Sequence, residues 1–372
     1  MNLVRRAFMG RAAGLGLSAA LPVLLPTHAG AQTPSTSYRF SPAPGDWRTF
    51  DVTTRIDLPA TTSATRVWVP VPAVQTGWQV PLGDSFASNG RAGLAADGAE
   101  GVRMVAAEFD GGVAQPYFEV TSRVRTQSRA PATGRVVAED PSNLQHALRP
   151  TRLIPTDGIV RDTARKATRG ARTDEAKARA IYDWVVGNAW REPTVKGCGE
   201  GDIKTMLETG NLGGKCADLN ALFVGLCRSA GVPARDIYGV RLATSEFGYK
   251  QLGSGSDNLS GAQHCRAEVY LKGLGWTAMD PADVAKVMRQ ERPEWIKQID
   301  NPLIKPVYQG LYGAWEGNWM AYNTAHDVKL PGSREEPLGF FMYPMAENAD
   351  GWFDPYEPSL FKYRISAREI KA

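Results

Sequence analysis

Between Trp47 and about Arg129, apolar and polar residues alternate with a period of two. Phe50-Asp51-Val52-Thr53-Thr54-Arg55-Ile56 and Tyr117-Phe118-Glu119-Val120-Thr121-Ser122-Arg123-Val124 each place their apolar members on one face, and Arg66-Val67-Trp68-Val69-Pro70-Val71-Pro72 is rich in β-formers. Turn residues separate the runs, which predicts a small antiparallel β-sandwich or sheet over 47–140. After about Pro141 the period lengthens. Thr173-Asp174-Glu175-Ala176 opens a helix whose Ile181, Trp184 and Val185 share one face. A glycine-rich approach, Asn211-Leu212-Gly213-Gly214-Lys215, leads into a second helix from about Cys216 to Ser229, which Gly231-Val232-Pro233 stops. Strands at Ile237–Leu242, Cys265–Leu271 and Trp276–Met279 follow, with a flexible loop at 254–261. The expected fold class is α+β, a helix packed on a sheet over 141–285 behind the β-rich region. Residues 286–372 carry many aromatics without a clear period and are expected to dock on the domain over 141–285 as a tail.

The first 31 residues read as an address rather than as part of the fold. A basic start, Val4-Arg5-Arg6-Ala7-Phe8, precedes an uncharged stretch from Ala12 to Leu25, and Ala29-Gly30-Ala31 supplies small residues for cleavage. The arginine pair resembles a twin-arginine export signal, which implies the Tat export machinery as a partner and a periplasmic or extracellular location. The apolar run is too short for a stable membrane anchor. Residues 32–46, rich in Pro, Ser and Thr, read as a flexible leader. Removing Arg5, Arg6 and Arg11 with a segment that holds no acid leaves +1 of the formal +4. Such a charge is no footprint for nucleic acid. Four cysteines in 372 residues are too few for a disulfide-built scaffold.

A thiol must ionise to attack a carbonyl, and a helix N-terminus favours the thiolate through its unpaired N–H groups and its dipole. Cys216 stands where the glycines give way to a helix. His264 begins a strand on which His264, Arg266, Glu268 and Tyr270 share one face and Cys265, Ala267, Val269 and Leu271 the other. Asp280 ends the next strand, before Pro281. Taken singly, each has a plainer reading, as a small buried residue, a satisfied histidine and a turn residue.

Together they carry more. The run from Gly213-Gly214-Lys215-Cys216-Ala217-Asp218 to Gly231-Val232-Pro233-Ala234-Arg235 resembles the nucleophile segment of the transglutaminase-like superfamily. His264-Cys265-Arg266-Ala267-Glu268-Val269-Tyr270 and Gly275-Trp276-Thr277-Ala278-Met279-Asp280-Pro281 resemble its histidine and aspartate segments, in the same order. The resemblance spans about 175–285. It implies a papain-like core in which Cys216 is nucleophile, His264 moves protons and Asp280 orients the ring. It also implies acyl transfer at a carboxamide of a protein or peptide substrate through a thioester. The acceptor is water in an amidase or peptidase and an amine in a transglutaminase-type reaction. Cofactors are expected to be none and metal none, since no acidic cluster with calcium spacing is visible. Trp190 is the candidate oxyanion donor. The alternative is a non-catalytic envelope binding protein that keeps the fold. Cys198 is read as an unpaired loop residue, Cys227 as core, and Trp315, Trp319 and His326 as docking residues.

Geometry adds a condition. For His264 and Asp280 to meet on one face of a hairpin, facing residues must have an even index sum. A regular four-residue loop at 272–275 would send Asp280 to the apolar face. The hairpin therefore needs a three- or five-residue loop, or a bulge.

Overall fold

A computed structural model describes residues 38–97, 101–131, 138–359 and 361–371. The expected export segment, and the leader up to residue 37, lie outside the described residues. Among the described residues, no helix is long and apolar enough to cross a membrane.

The alternating runs become two antiparallel sheets. One has the order Lys362–Ile370, Arg48–Asp57, Tyr117–Thr126, Gln79–Ser88, and the other Gly351–Trp352, Met345–Asn348, Thr65–Pro70, Val102–Phe109, Arg91–Asp97. Side chains alternate between buried and half-exposed along Tyr117–Thr126, as a period of two requires. Ile56, Phe118 and Val120 from the first sheet meet Val67, Val69, Val105 and Phe109 from the second, forming the interior of a sandwich.

Residues 286–372, read as a tail, divide between both parts of the fold. Trp319–Asn323 pairs with Ala234–Arg241 in the sheet that carries the candidate site. Met345–Asn348 pairs with Thr65–Pro70, and Lys362–Ile370 covers the outer edge of Arg48–Asp57 from Thr49↔Ile370 to Asp57↔Lys362. These strands bury a sheet edge that would otherwise present unpaired N–H and C=O groups. They escape a reading by local period because their partners lie some 280–320 residues away in the chain.

The second sheet system is antiparallel throughout, with the order Tyr312–Gly313, Gly275–Met279, Gln263–Leu271, Ala234–Arg241, Trp319–Asn323. The helix Cys216–Ser229 lies against it, and every residue from Cys216 to Arg228 is buried. A helix enclosed on all sides is the central element of its layer, and its apolar residues run all the way round. The helix Asp174–Asn188, capped by the Thr173 hydroxyl on the Ala176 N–H, buries Ala178, Ile181, Tyr182, Val185 and Val186 beside it. One apolar core runs from the sandwich residues Phe50, Trp68 and Val102 through to the central helix.

Candidate active site

The chain reaches Cys216 through a short parallel pair, Trp190–Arg191 with Gly213–Gly214. Asp218, in the first turn of the central helix, accepts the Lys215 N–H at 2.9 Å, closing the helix N-terminus. The same carboxylate accepts the N–H groups of Glu200 and Gly201 at 3.0 and 2.9 Å, and the Ala217 N–H donates to the Cys198 carbonyl at 2.9 Å. Loop 198–201 is thereby pinned to the turn that carries the thiol. Gly199 has φ +88°, and a Cβ there would stand 1.8 Å from the Asp218 carboxylate, so only glycine permits this approach.

His264 comes from the adjacent strand. Leu271 pairs with Gly275 and Ala267 with Met279, an even register across the three-residue loop Lys272–Leu274. This is the register the sequence requires. Asp280 follows directly at the strand's end and places Oδ2 2.8 Å from His264 Nε2. Asp280 also caps the next helix, Pro281–Gln290, accepting the Asp283 N–H at 3.1 Å on Oδ1. Asn220, one turn along the central helix from Cys216, donates to Asp280 Oδ1 at 3.3 Å and to the Cys265 carbonyl at 2.8 Å. The Trp319 indole donates to the His264 carbonyl at 2.8 Å.

The polar face of the histidine strand is as enclosed as its apolar face. Arg266 is buried against the rings of Trp315 and Trp319, 5.1 and 4.7 Å from their centroids. Its Nε lies 3.7 Å from Asp280 Oδ2. A second acid, Asp283, approaches His264 Nε2 at 3.4 Å and is held by Arg241 at 2.5 Å. Both acids and both arginines are essentially inaccessible to solvent. A buried cluster of this kind persists only when its charges are mutually paired.

The electrostatics favour an ion pair between thiol and imidazole. Burial and the Arg241 charge work against a proton on His264, but the charges of Asp283 and Asp280 and the Asp280 hydrogen bond raise it to about 9. Burial also opposes the Cys216 thiolate. Hydrogen bonds from Cys198, Cys265 and His264, with the His264 charge, nevertheless hold the thiol well below its ordinary range. Cys198 and Cys265 themselves are pushed well above it. With Nε2 engaged by the acids, Nδ1 is left for the sulfur.

Cys216 and His264 open onto a cleft of about 650 Å³, also lined by Cys198, Gln263, Tyr343 and Tyr356. Exposed residues of the loop 254–261 form its rim. Trp190 does not reach it. Its indole lies against Gly213, bonds towards Glu192, and borders a separate pocket with Ala285 and Trp295. Its neighbour Arg191 is the residue that faces the cleft, because side chains alternate along an extended pair. The Cys216 backbone N–H stands at the start of the helix Cys216–Ser229. Cys227 is buried in the core, and no cysteine among the described residues is in a disulfide.

Asn220, Arg241 and Asp283 complete the constellation, and the sequence alone did not single them out. Asp283 had a signal, because an acid three residues after Asp280, beyond Pro281, is a helix-start pattern. His264, Asp280 and Asp283 place possible ligand atoms within 4.8 Å of one another. Each of those groups is already engaged by a hydrogen bond or an arginine, so the residues do not form an open metal cradle.

The sequence pattern of the transglutaminase-like superfamily matches residues 161–281. A protein of Haemophilus influenzae, named only as uncharacterized, is 33% identical over 323 residues, which cover 82% of this chain and 86% of that one. Among solved structures, a candidate cysteine protease from Cytophaga hutchinsonii is similar over 88% of this chain and all of its own, at 18% identity and TM-score 0.49. The periplasmic domain of TgpA from Pseudomonas aeruginosa is similar over 70% of this chain and 93% of its own, at 14% identity and TM-score 0.34. The chain belongs to the transglutaminase-like superfamily.

Proposed function

We propose that the protein is an exported cysteine enzyme that hydrolyses a carboxamide of a peptide or protein substrate through a thioester. The observation that carries this reading is the Cys216–His264–Asp280 constellation at the cleft, with the thiol held down and the imidazole held up. The Cys216 thiolate attacks the carbonyl carbon, forming a C–S bond. The C–N bond then breaks as the His264 imidazolium gives its proton to the leaving amine or ammonia. Water, deprotonated by His264, attacks the thioester, releases the acid and restores the ion pair. Water rather than an amine is the favoured acceptor because the cleft opens to solvent along the loop 254–261. Export through the Tat machinery rests on the arginine pair at the N-terminus.

The test is mass spectrometry of peptide libraries incubated with the purified protein, with and without a primary amine. Wild type should produce chain cleavage or a one-mass-unit gain on glutamine, and Cys216→Ala should lose this by roughly 10³-fold or more while remaining folded. Full turnover in Cys216→Ala, or amine incorporation outrunning hydrolysis, overturns the reading.

A further inference from the structure

The cleft carries more positive charge than its chemistry requires. His264 already supplies the counter-charge to the Cys216 thiolate. The one acid on the cleft wall among the described residues, Asp283, is taken by Arg241 at 2.5 Å and by His264 at 3.4 Å. Three further cations line the same space from three different elements: Arg191 from the short parallel pair, Lys215 from the residue before the nucleophile, and Lys286 from the helix Pro281–Gln290.

None of the three has an ion-pair partner among the described residues. Arg191 donates Nε to the neutral Gln290 amide oxygen at 3.1 Å, which leaves its terminal nitrogens to the cleft. Lys286 donates to the Gln251 carbonyl at 2.9 Å and has two more N–H groups to offer. The clustering is local, since the chain has a formal charge of only +4 over 372 residues. Like charges gathered in one concavity repel one another, and that cost is offset when an anion binds between them. Burial and the charges of Arg241 and Arg191, opposed by that of Asp283, bring Lys286 down to about 8, and burial and Arg191, opposed by Asp218 and the thiols, lower Lys215.

Resting on the proposed acyl-transfer function, we infer that the substrate is an acyl donor bearing a carboxylate near the scissile amide, with Arg191, Lys215 and Lys286 as its specificity-determining residues. The planar guanidinium of Arg191 can take a carboxylate through two parallel N–H donors, and the two ammonium groups act as point charges beside it. The cleft volume of about 650 Å³ accommodates a short peptide segment rather than a single small ion.

Two small alkylating reagents probe the cleft in place of the substrate. Iodoacetate and iodoacetamide alkylate a thiolate by the same displacement of iodide and differ mainly in one carboxylate. Rate constants for Cys216 are measured with each reagent by mass spectrometry of the full chain, at several salt concentrations. Wild type should prefer iodoacetate, with the preference fading as salt rises. The iodoacetate-to-iodoacetamide ratio should fall by roughly threefold to tenfold in Arg191→Gln and in Lys286→Gln. The ratio normalises for any change in the thiol itself. Lys215→Gln, at a half-exposed position, serves if the Lys286 variant fails to fold. An unchanged ratio in these variants overturns the inference and leaves the cysteine mechanism standing. A Cys216 that resists both reagents in the folded wild type overturns the mechanism, and this inference with it. Glutarate should protect Cys216 from iodoacetamide better than inorganic phosphate at equal concentration. Equal or better protection by phosphate overturns the assignment to a carboxylate.

Discussion

Two buried histidine–aspartate contacts in this protein have opposite characters. His264 lies 2.8 Å from Asp280, whereas His326 lies 3.5 Å from Asp236. All four residues are buried. Around Asp280 stand Asn220, the Asp283 N–H and Arg266, with a second acid and Arg241 behind them. Around Asp236 no hydrogen-bond donor reaches either oxygen among the described residues, and His326 Nε2 is equally without a partner. Burial, with the Arg228 and His146 charges, accordingly holds His326 well below its usual value, while His264 is raised to about 9. Burial pushes Asp236 up to about 7. A histidine and a carboxylate in proximity are therefore not yet a proton-handling pair. The donors and counter-charges around the carboxylate decide whether the pair is ionic or neutral.

The largest contrast should appear when each imidazole is removed. His264→Ala should lower turnover by roughly 10³-fold or more, because His264 is the proton-bearing ring that contacts the Cys216 sulfur and is oriented by Asp280. His326→Ala should leave turnover within about threefold of wild type and change only the melting temperature. Both variants are read in one peptide-hydrolysis assay with parallel thermal melts. Comparable losses of turnover would mean that the second pair also serves the reaction, and the division between the two pairs would fail.

A smaller effect is expected at the acid. Asp280→Asn should lower turnover by roughly 10²-fold, less than the about 10⁴-fold of a triad with a single acid, because Asp283 remains beside Nε2. It should also move the alkaline limb of the pH–rate profile. In wild type that limb should report His264 losing its proton near 9. Without the Asp280 charge the ring binds its proton less tightly, so the limb should shift to lower pH. An unmoved limb would assign the orienting role to Asp283 instead.

How much of this was legible in the sequence follows from the range of the interactions. The central helix was readable from Gly213 to Pro233 because its start and stop signals are local. The even register was readable because parity follows from Asp280 having to meet His264. The enclosure of the polar strand face was not, since Trp315 and Trp319 return to Arg266 from about fifty residues away. Arg241 and Asp283 stayed hidden for the same reason, since their ion pair spans 42 residues. Trp190, the candidate oxyanion donor, borders a separate pocket and Arg191 lines the cleft, although the two are neighbours. In a two-residue strand, a shift of one position exchanges the side chain that faces the site with the one that faces away. The closure of the sandwich by Lys362–Ile370 lay beyond any local pattern, because a strand's period does not name its partner.

The smallest of the contrasts tests the neutral pair through stability. Asp236 has an ordinary value of 3.8 and a folded value of about 7, so between these limits the folded protein keeps a proton that the unfolded chain has released. Stability linked to this group must therefore fall as pH rises from about 4 to 7, and the full penalty persists above 7. Below that window the protonated acid can donate towards His326 Nε2, which satisfies both buried groups at once. Asn cannot ionise. Asp236→Asn should thus be more stable than wild type at pH 8 by roughly 1–2 kcal/mol, with the gain vanishing towards pH 4. Urea unfolding of both proteins across this range isolates the residue, because every other titrating group is common to the two. At Asp280, burial and the Asp283 charge also raise the carboxyl, but the charges of His264 and Arg266 and the His264 hydrogen bond oppose them. The same substitution there relieves the burial and strands those two cations, so its gain at pH 8 should be smaller than at Asp236. An equal or larger gain at Asp280, or no gain at Asp236, would show that the surrounding donors do not divide the two carboxyls.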